Sequence, residues 1–254
     1  MQVDRCTLSG GGIYVFSGVR GFTVRRCSIV GARFGVVSAA TTDHADAPGL
    51  VYIEKTSLTD VETGIVLDAN QALLLEKVEL SLVHATGLSV RRGGFVDAAT
   101  PPVAVFRSTF ELVGDPAGDP AVAIDVENLP VGIKIENATI RDVFGTAVRA
   151  GPGVGRLDVT KVKFDRVSDA AISLGVGTDQ TSASDRHTVL NCRMTDVGHG
   201  VLMDGRGTLE VERTRGRGRR CVALFSGDTI VDRRHWGDRA LHRAFFRYAI
   251  LLKA

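Results

Sequence analysis

The chain has 254 residues, with 31 Lys and Arg against 29 Asp and Glu for a formal net charge of +2, and is 44% hydrophobic. Near-neutrality excludes a global field for nucleic acid, and no stretch approaches the roughly 18 apolar residues of a membrane span. No N-terminal basic-plus-apolar segment reads as a signal peptide, and Cys6, Cys27, Cys192 and Cys221 lack the spacing of a zinc site or a thiol redox motif.

The even balance hides an asymmetry. From Gly205 onward eleven Arg and one Lys face five acids, a net of +7, so the preceding residues carry about −5.

Taken in chain order, one motif recurs: apolar, two polar, small, variable, apolar. It opens as VDRCTL (3–8) and returns as VRRCSI (24–29), IEKTSL (53–58), LEKVEL (75–80), VFRSTF (105–110), IENATI (135–140), VTKVKF (159–164) and VLNCRM (189–194), then in part as VERTRG (211–216). A second motif, Gly or Ala followed by aliphatic, variable, aliphatic, trails it as GIVL (64–67), GLSV (87–90), AIDV (123–126), AISL (171–174) and GVLM (200–203). Asp60-Val61, Asp142-Val143 and Asp196-Val197 mark a turn between the halves, and the glycines are expected to supply backbone freedom at turns. Alternating aliphatic residues predict short strands with one buried face. A two-strand unit of 22 to 30 residues cannot bury that face alone and must stack on copies of itself.

The expected fold is therefore all-β: a single-stranded right-handed parallel β-helix of about nine coils, on the order of 40 Å long at the usual strand spacing. These repeats resemble those of the pectate-lyase-like superfamily over roughly residues 3–225. Fixed Leu and Asn spacing is missing, which argues against a leucine-rich repeat, and no helical periodicity precedes residue 236. Residues 1–227 are assigned to the repeats and 228–254 to an Arg-rich tail. In that tail Trp236, Leu241, Phe245, Tyr248 and Leu252 fall near helical spacing, which predicts an amphipathic cap on the last coil. A membrane-surface helix and a shifted reading frame near GRGRRC (216–221) stay open beside it. No cap precedes the first coil, so a further domain or chain is expected there, with the chain a fragment of a longer protein.

Cys6, Cys27 and Cys192 occupy the inward small position that Thr56, Val78, Ser108, Ala138, Val162 and Thr214 fill in other copies, and read as core residues. Asn137-Ala138-Thr139 matches a glycosylation sequon but reads as part of a stacked strand.

Functional residues on such a scaffold are expected on its longer loops: 38–50, 91–102, 114–121 and 175–187. The first two should flank a groove floored by Asp68, with Asp43, His44, Asp46, Arg91 and Arg92 around it and Tyr52 pointing outward beside it. The resemblance implies a carbohydrate-active or carbohydrate-binding protein, and specifically a lyase on a uronic-acid polymer. Asp43 and Asp46 would hold Ca²⁺ against the substrate carboxylate. Asp68, Arg91, Arg92 and His44 would serve as catalytic groups, and Tyr52 and Asp43 would bind the sugar. The family also implies an extracellular or cell-surface place. A non-catalytic structural or interaction rod is the other reading. A second cluster, Asp179, Asp185, Arg186 and His187 with Asp204 and Arg206, is equally unspecific.

Gly198-His199-Gly200 resembles a polygalacturonase motif, but the carboxylate pair that glycoside hydrolysis requires has no counterpart here. His199 is expected to be a solvated turn histidine.

Overall fold

The computed structural model describes all residues except 17–18, 20, 40–48, 69–70, 93–102, 131, 176–185, 205–206, 218–223, 227–228 and 235–254. The described residues form strands and no helix, in two sheets whose pairings are all parallel. None of them lies in a helix long and apolar enough to cross a membrane.

The ten-stranded sheet runs in chain order through Gln2–Asp4, Phe22–Arg25, Leu50–Glu54, Ala72–Glu76, Val103–Phe106, Ile133–Glu136, Leu157–Thr160, Arg186–Leu190, Gly207–Glu212 and Thr229–Arg234. The fourteen-stranded sheet takes the remaining strands, including the long Ser57–Asp68, Glu79–Arg92, Lys163–Gly175 and Arg193–Asp204. Glu79–Arg92 pairs with Thr109–Val113 along its first half and with Ala121–Val126 along its second. These continue through Thr139–Val143 and Gly145–Ala150, and both rows meet again on Lys163–Gly175. Six parallel strands thus close a hydrogen-bonded circuit.

This arrangement corrects the expected architecture. A nine-coil right-handed β-helix with a helical cap is replaced by two wide parallel sheets, one containing a closed six-strand circuit, with no helix among the described residues. Two local causes stand behind the difference. The first is the third residue of every first-half motif: Arg5, Arg26, Lys55, Lys77, Arg107, Asn137, Lys161, Asn191 and Arg213 all have φ between 48° and 55°. That left-handed residue breaks the extended chain, so each motif spans two strands and not one. Asn137 of the sequon is therefore an exposed bend residue and not part of a strand. The second is the residue before the buried valine of the next bend: Asp60, Leu82, Leu112, Asp142, Arg166 and Asp196, again at φ 50–55°. At Ser57–Asp68, Glu79–Arg92, Lys163–Gly175 and Arg193–Asp204 the strand continues through this bend, which merges neighbouring rows into one sheet. The segment 235–254, given to the capping helix, lies outside the described residues, while Thr229–Arg234 is a strand on the ten-stranded sheet.

Register alignment turns each motif position into a column. Val24, Ile53, Leu75, Val105, Ile135, Val159, Val189 and Val211 are all essentially inaccessible, and Ile29, Leu58, Leu80, Phe110, Ile140, Phe164 and Met194 form the facing column. Burying each such side chain is worth about 1.5–3 kcal/mol.

Between these columns runs a row of small residues, Gly35, Gly64, Gly87, Ala123, Ala147, Ala171 and Gly200. Gly64 and Gly87 sit at no left-handed bend, so conformational freedom is not what they supply. A Cβ on Gly87 would lie 2.5 Å from the Ala123 carbonyl oxygen and 2.8 Å from the Phe110 ring, and one on Gly64 would lie 2.2 Å from Leu80. Close packing, not turning, selects them.

Gly87→Ala is expected to destabilise the protein by about 1–3 kcal/mol, the usual cost of overpacking. Gly200→Ala should cost far less, since its Cβ would meet only the Met194 sulfur at 3.4 Å; urea denaturation of the two variants separates them. At the bends, left-handed geometry costs an ordinary side chain about 1–2 kcal/mol and Asn less. Lys161→Asn, which copies the flanking Asn137 and Asn191, is expected to raise the urea midpoint, with a gain on the order of 0.5–1 kcal/mol.

Candidate functional site

The groove anticipated around Asp68 begins from strand register. Ala39 pairs with Asp68 and Asp68 with Arg92, so three neighbouring strands end side by side. Asp68 is half-buried and Arg91 exposed. Asp43, His44 and Asp46 lie outside the described residues, as does the side chain of Arg92. Tyr52 belongs to the other sheet, on Leu50–Glu54.

Tyr52 alternates with buried Val51 and Ile53 and points away from the core. Its hydroxyl is already engaged, donating to Glu76 Oε2 of the next layer at 3.0 Å. Burial, and then this bond to a carboxylate, push the phenol up to about 12. Glu54, one residue beyond Ile53, is itself nearly buried and is held by Lys55 Nζ at 3.0 Å and Arg25 Nε at 2.7 Å. Those two cations, Lys55 first, hold its carboxyl below the usual carboxylate range. The outer face of this sheet thus carries contacts between successive layers, Arg25 to Glu54 and Tyr52 to Glu76.

Among the described residues no group of three or more His, Cys, Asp or Glu side chains could hold a metal ion. The expected Ca²⁺ ligands Asp43 and Asp46 fall outside them.

In the second cluster, Asp179, Asp185 and Arg206 lie outside the described residues, and Arg186 and Asp204 are placed by backbone alone. His187 turns inward. It is 2% exposed, stands in the core column between Leu157 and Leu209, and its Nδ1 accepts the Leu157 amide at 3.2 Å. That bond requires a lone pair on Nδ1, so the ring is bound here with Nδ1 unprotonated.

His199 is not a solvated turn residue. It lies half-buried within Arg193–Asp204, with Nδ1 3.6 Å from Asp169 Oδ1, and the other oxygen of Asp169 accepts the Thr146 hydroxyl at 2.9 Å. Gly198 before it is required by space. A Cβ there would stand 2.5 Å from the carbonyl oxygens of both Ser168 and Asp169. Gly198 is therefore a packing requirement, whereas Gly200 has room for a Cβ, which would meet only the Met194 sulfur at 3.4 Å.

The sequence outlines two further sets whose partners only the structure supplies. One is the ladder of opposite charges expected between neighbouring copies at Glu54-Lys55, Glu76-Lys77, Glu136-Asn137 and Glu212-Arg213, which widens into ion pairs at the bends and on other outer faces. Arg26 grips Asp4 with two bonds of 3.0 and 2.6 Å, Arg149 grips Asp125 at 2.7 and 2.6 Å, and Arg166 reaches Asp142 at 2.8 Å through Nη2. Basic or amide residues at the third position of every motif were the available signal. The other is the inward column of hydroxyls. Thr56, Ser108 and Thr214 each donate to the carbonyl two residues upstream and accept the amide of the preceding layer's Cys27, Val78 and Cys192. The Cys192 thiol in this column is pushed up to about 11 by burial, which makes it inert.

Fold and surface together define a class: an all-β repeat protein of stacked parallel strands with an ion-paired exterior. No family model, curated protein or solved structure matches the chain. The resemblance to pectate-lyase-like repeats is therefore corrected: neither the comparisons nor the sheet arrangement supports that family, and its implied carbohydrate chemistry gains nothing from it.

Tyr52 gives a direct check. Its raised phenol contributes stability that is fully present below pH 10, the ordinary value, and is lost as the pH rises through about 12. Tyr52→Phe is expected to flatten the alkaline fall in stability between those limits, as followed by melting temperature against pH.

Proposed function

We propose that this chain is a non-catalytic structural or interaction module. The observation that carries the reading is how its surface charge is spent. Arg25, Arg26, Arg141, Arg149 and Arg166 bind Glu54, Asp4, Glu111, Asp125 and Asp142 of neighbouring layers, so exposed cations and carboxylates are committed to one another. Each exposed pair is worth about 0–1 kcal/mol. Together they fix the outer faces in register. Tyr52, the side chain proposed for stacking on sugar, has its hydroxyl tied to Glu76. A surface built in this way is suited to presenting a stable face or spacing other modules.

The rival reading is a protein that binds or cleaves a uronic-acid polymer near Asp68, and it rests on the side-by-side strand ends at Ala39, Asp68 and Arg92. The two separate in one assay. Acidic polysaccharides are incubated with the protein with and without Ca²⁺ and followed by ultraviolet absorbance for unsaturated uronate, with a glycan array in parallel. The module reading expects no new absorbance and no glycan retained. Turnover or saturable glycan binding that Asp68→Asn or Arg91→Ala abolishes would overturn it.

A further inference from the structure

The cysteines lack the spacing of a thiol redox motif, yet the repeat sets Cys6 and Cys27 in adjacent copies, where a disulfide is geometrically possible, and strand register brings them together. Asp4 pairs with Arg25 and Thr7 with Ser28, which sets Cys6 beside Cys27 at the bends of adjacent layers. Their sulfurs stand 3.3 Å apart. Neighbouring parallel strands lie about 4.8 Å apart, within the span of Cα separations that a disulfide bridges.

We infer that Cys6 and Cys27 are a modification site at which a low-molecular-weight disulfide converts two thiols into an inter-layer disulfide. Access and location support this. Cys27 is 2% exposed, whereas Cys6 is only half-buried, so an external disulfide reaches Cys6 first. The Cys6 thiolate attacks one sulfur of the small disulfide, releasing one small thiol and leaving a mixed disulfide. Cys27 then gives its proton to solvent and attacks Cys6 Sγ, releasing the second small thiol. Two protein thiols are oxidised to one disulfide and the small disulfide is reduced to two thiols. Cys192, the other described cysteine of the column, has Thr214 and Val162 as its neighbours and no thiol partner.

The layer containing Gln2–Asp4 and Thr7–Ser9 is paired on one side only, through Phe22–Arg25 and Ser28–Val30. Val3, Cys6 and Leu8 are accordingly only partly buried, while Val24, Cys27 and Ile29 in the next layer are inaccessible. The bond would tie this partly buried layer to the buried one beside it.

The test uses the full chain, native, with glutathione disulfide as the probe. Remaining thiols are alkylated after denaturation and the protein is digested with trypsin. Cleavage at Arg5, Arg20, Arg26 and Arg33 places the cysteines on peptides 6–20 and 27–33. The expected result is these two peptides joined, two hydrogens lighter than their sum and separated by a reductant. The melting temperature should rise by several degrees on oxidation. Cys6→Ser should abolish both changes while keeping the fold, because Ser108 fills the same column position; Cys192→Ser should leave both intact. Glutathione retained on Cys6 with Cys27 still alkylated, or linkage of either residue to Cys221, would overturn the inference.

Discussion

In-register parallel hydrogen bonding between consecutive layers is the constraint on which the rest of this structure depends. Backbone groups cannot be buried unpaired, so every strand must meet its equivalent one repeat later. Once the backbone is matched, side chains have no freedom to choose neighbours: position by position they stack on their own counterparts. This is why Val24 lies under Ile53 and Leu75, why Gly64 lies between Gly35 and Gly87, and why one hydroxyl or thiol column threads the first bend.

The bends answer a conflict inside that constraint. A chain that must return to its starting point every 22 to 30 residues has to turn without leaving amides unsatisfied. Left-handed residues make the turn in one step, and the amide at the bend stays bonded to the next layer, as Lys55 N does to Glu76 O and Arg107 N to Glu136 O. The side chain at such a residue is thrown outward, where length and charge cost little. Some of them serve twice: Arg26 and Arg107 pair with Asp4 and Glu76 of a neighbouring layer, while Lys55, Lys77 and Arg213 pair with the glutamate just before them. The inner side of the same bend holds Thr56, Ser108 or Thr214, whose hydroxyl accepts the buried amide of Cys27, Val78 or Cys192 in the preceding layer.

Legibility followed the same division. The repeat, the all-strand character and the inward positions could be read from the motifs, because aliphatic alternation is a local pattern. The number of strands per repeat could not, since nothing in Arg26 or Lys55 alone announces a left-handed backbone. Nor could the merging of rows into a closed circuit, which depends on strands pairing along two halves of their length. Gly-His-Gly invited a catalytic reading and then a solvated one. The structure corrects the second: His199 is half-buried in a strand beside Asp169, and the space around Gly198 is set by the carbonyls of the preceding layer. The predicted groove was legible only as a meeting of strand ends at Ala39, Asp68 and Arg92.

By itself the sequence determined that this protein is a stack of short strands with an aliphatic interior, because side-chain alternation and repeat length are written along the chain. Only the tertiary structure decided which residues from different repeats touch. Contacts between Cys6 and Cys27, Tyr52 and Glu76, or Arg149 and Asp125 join residues 21 to 24 positions apart. The physical reason is register: a slip of one residue would turn every inward side chain to the solvent, and that choice is made by whole layers packing together and not by any single motif.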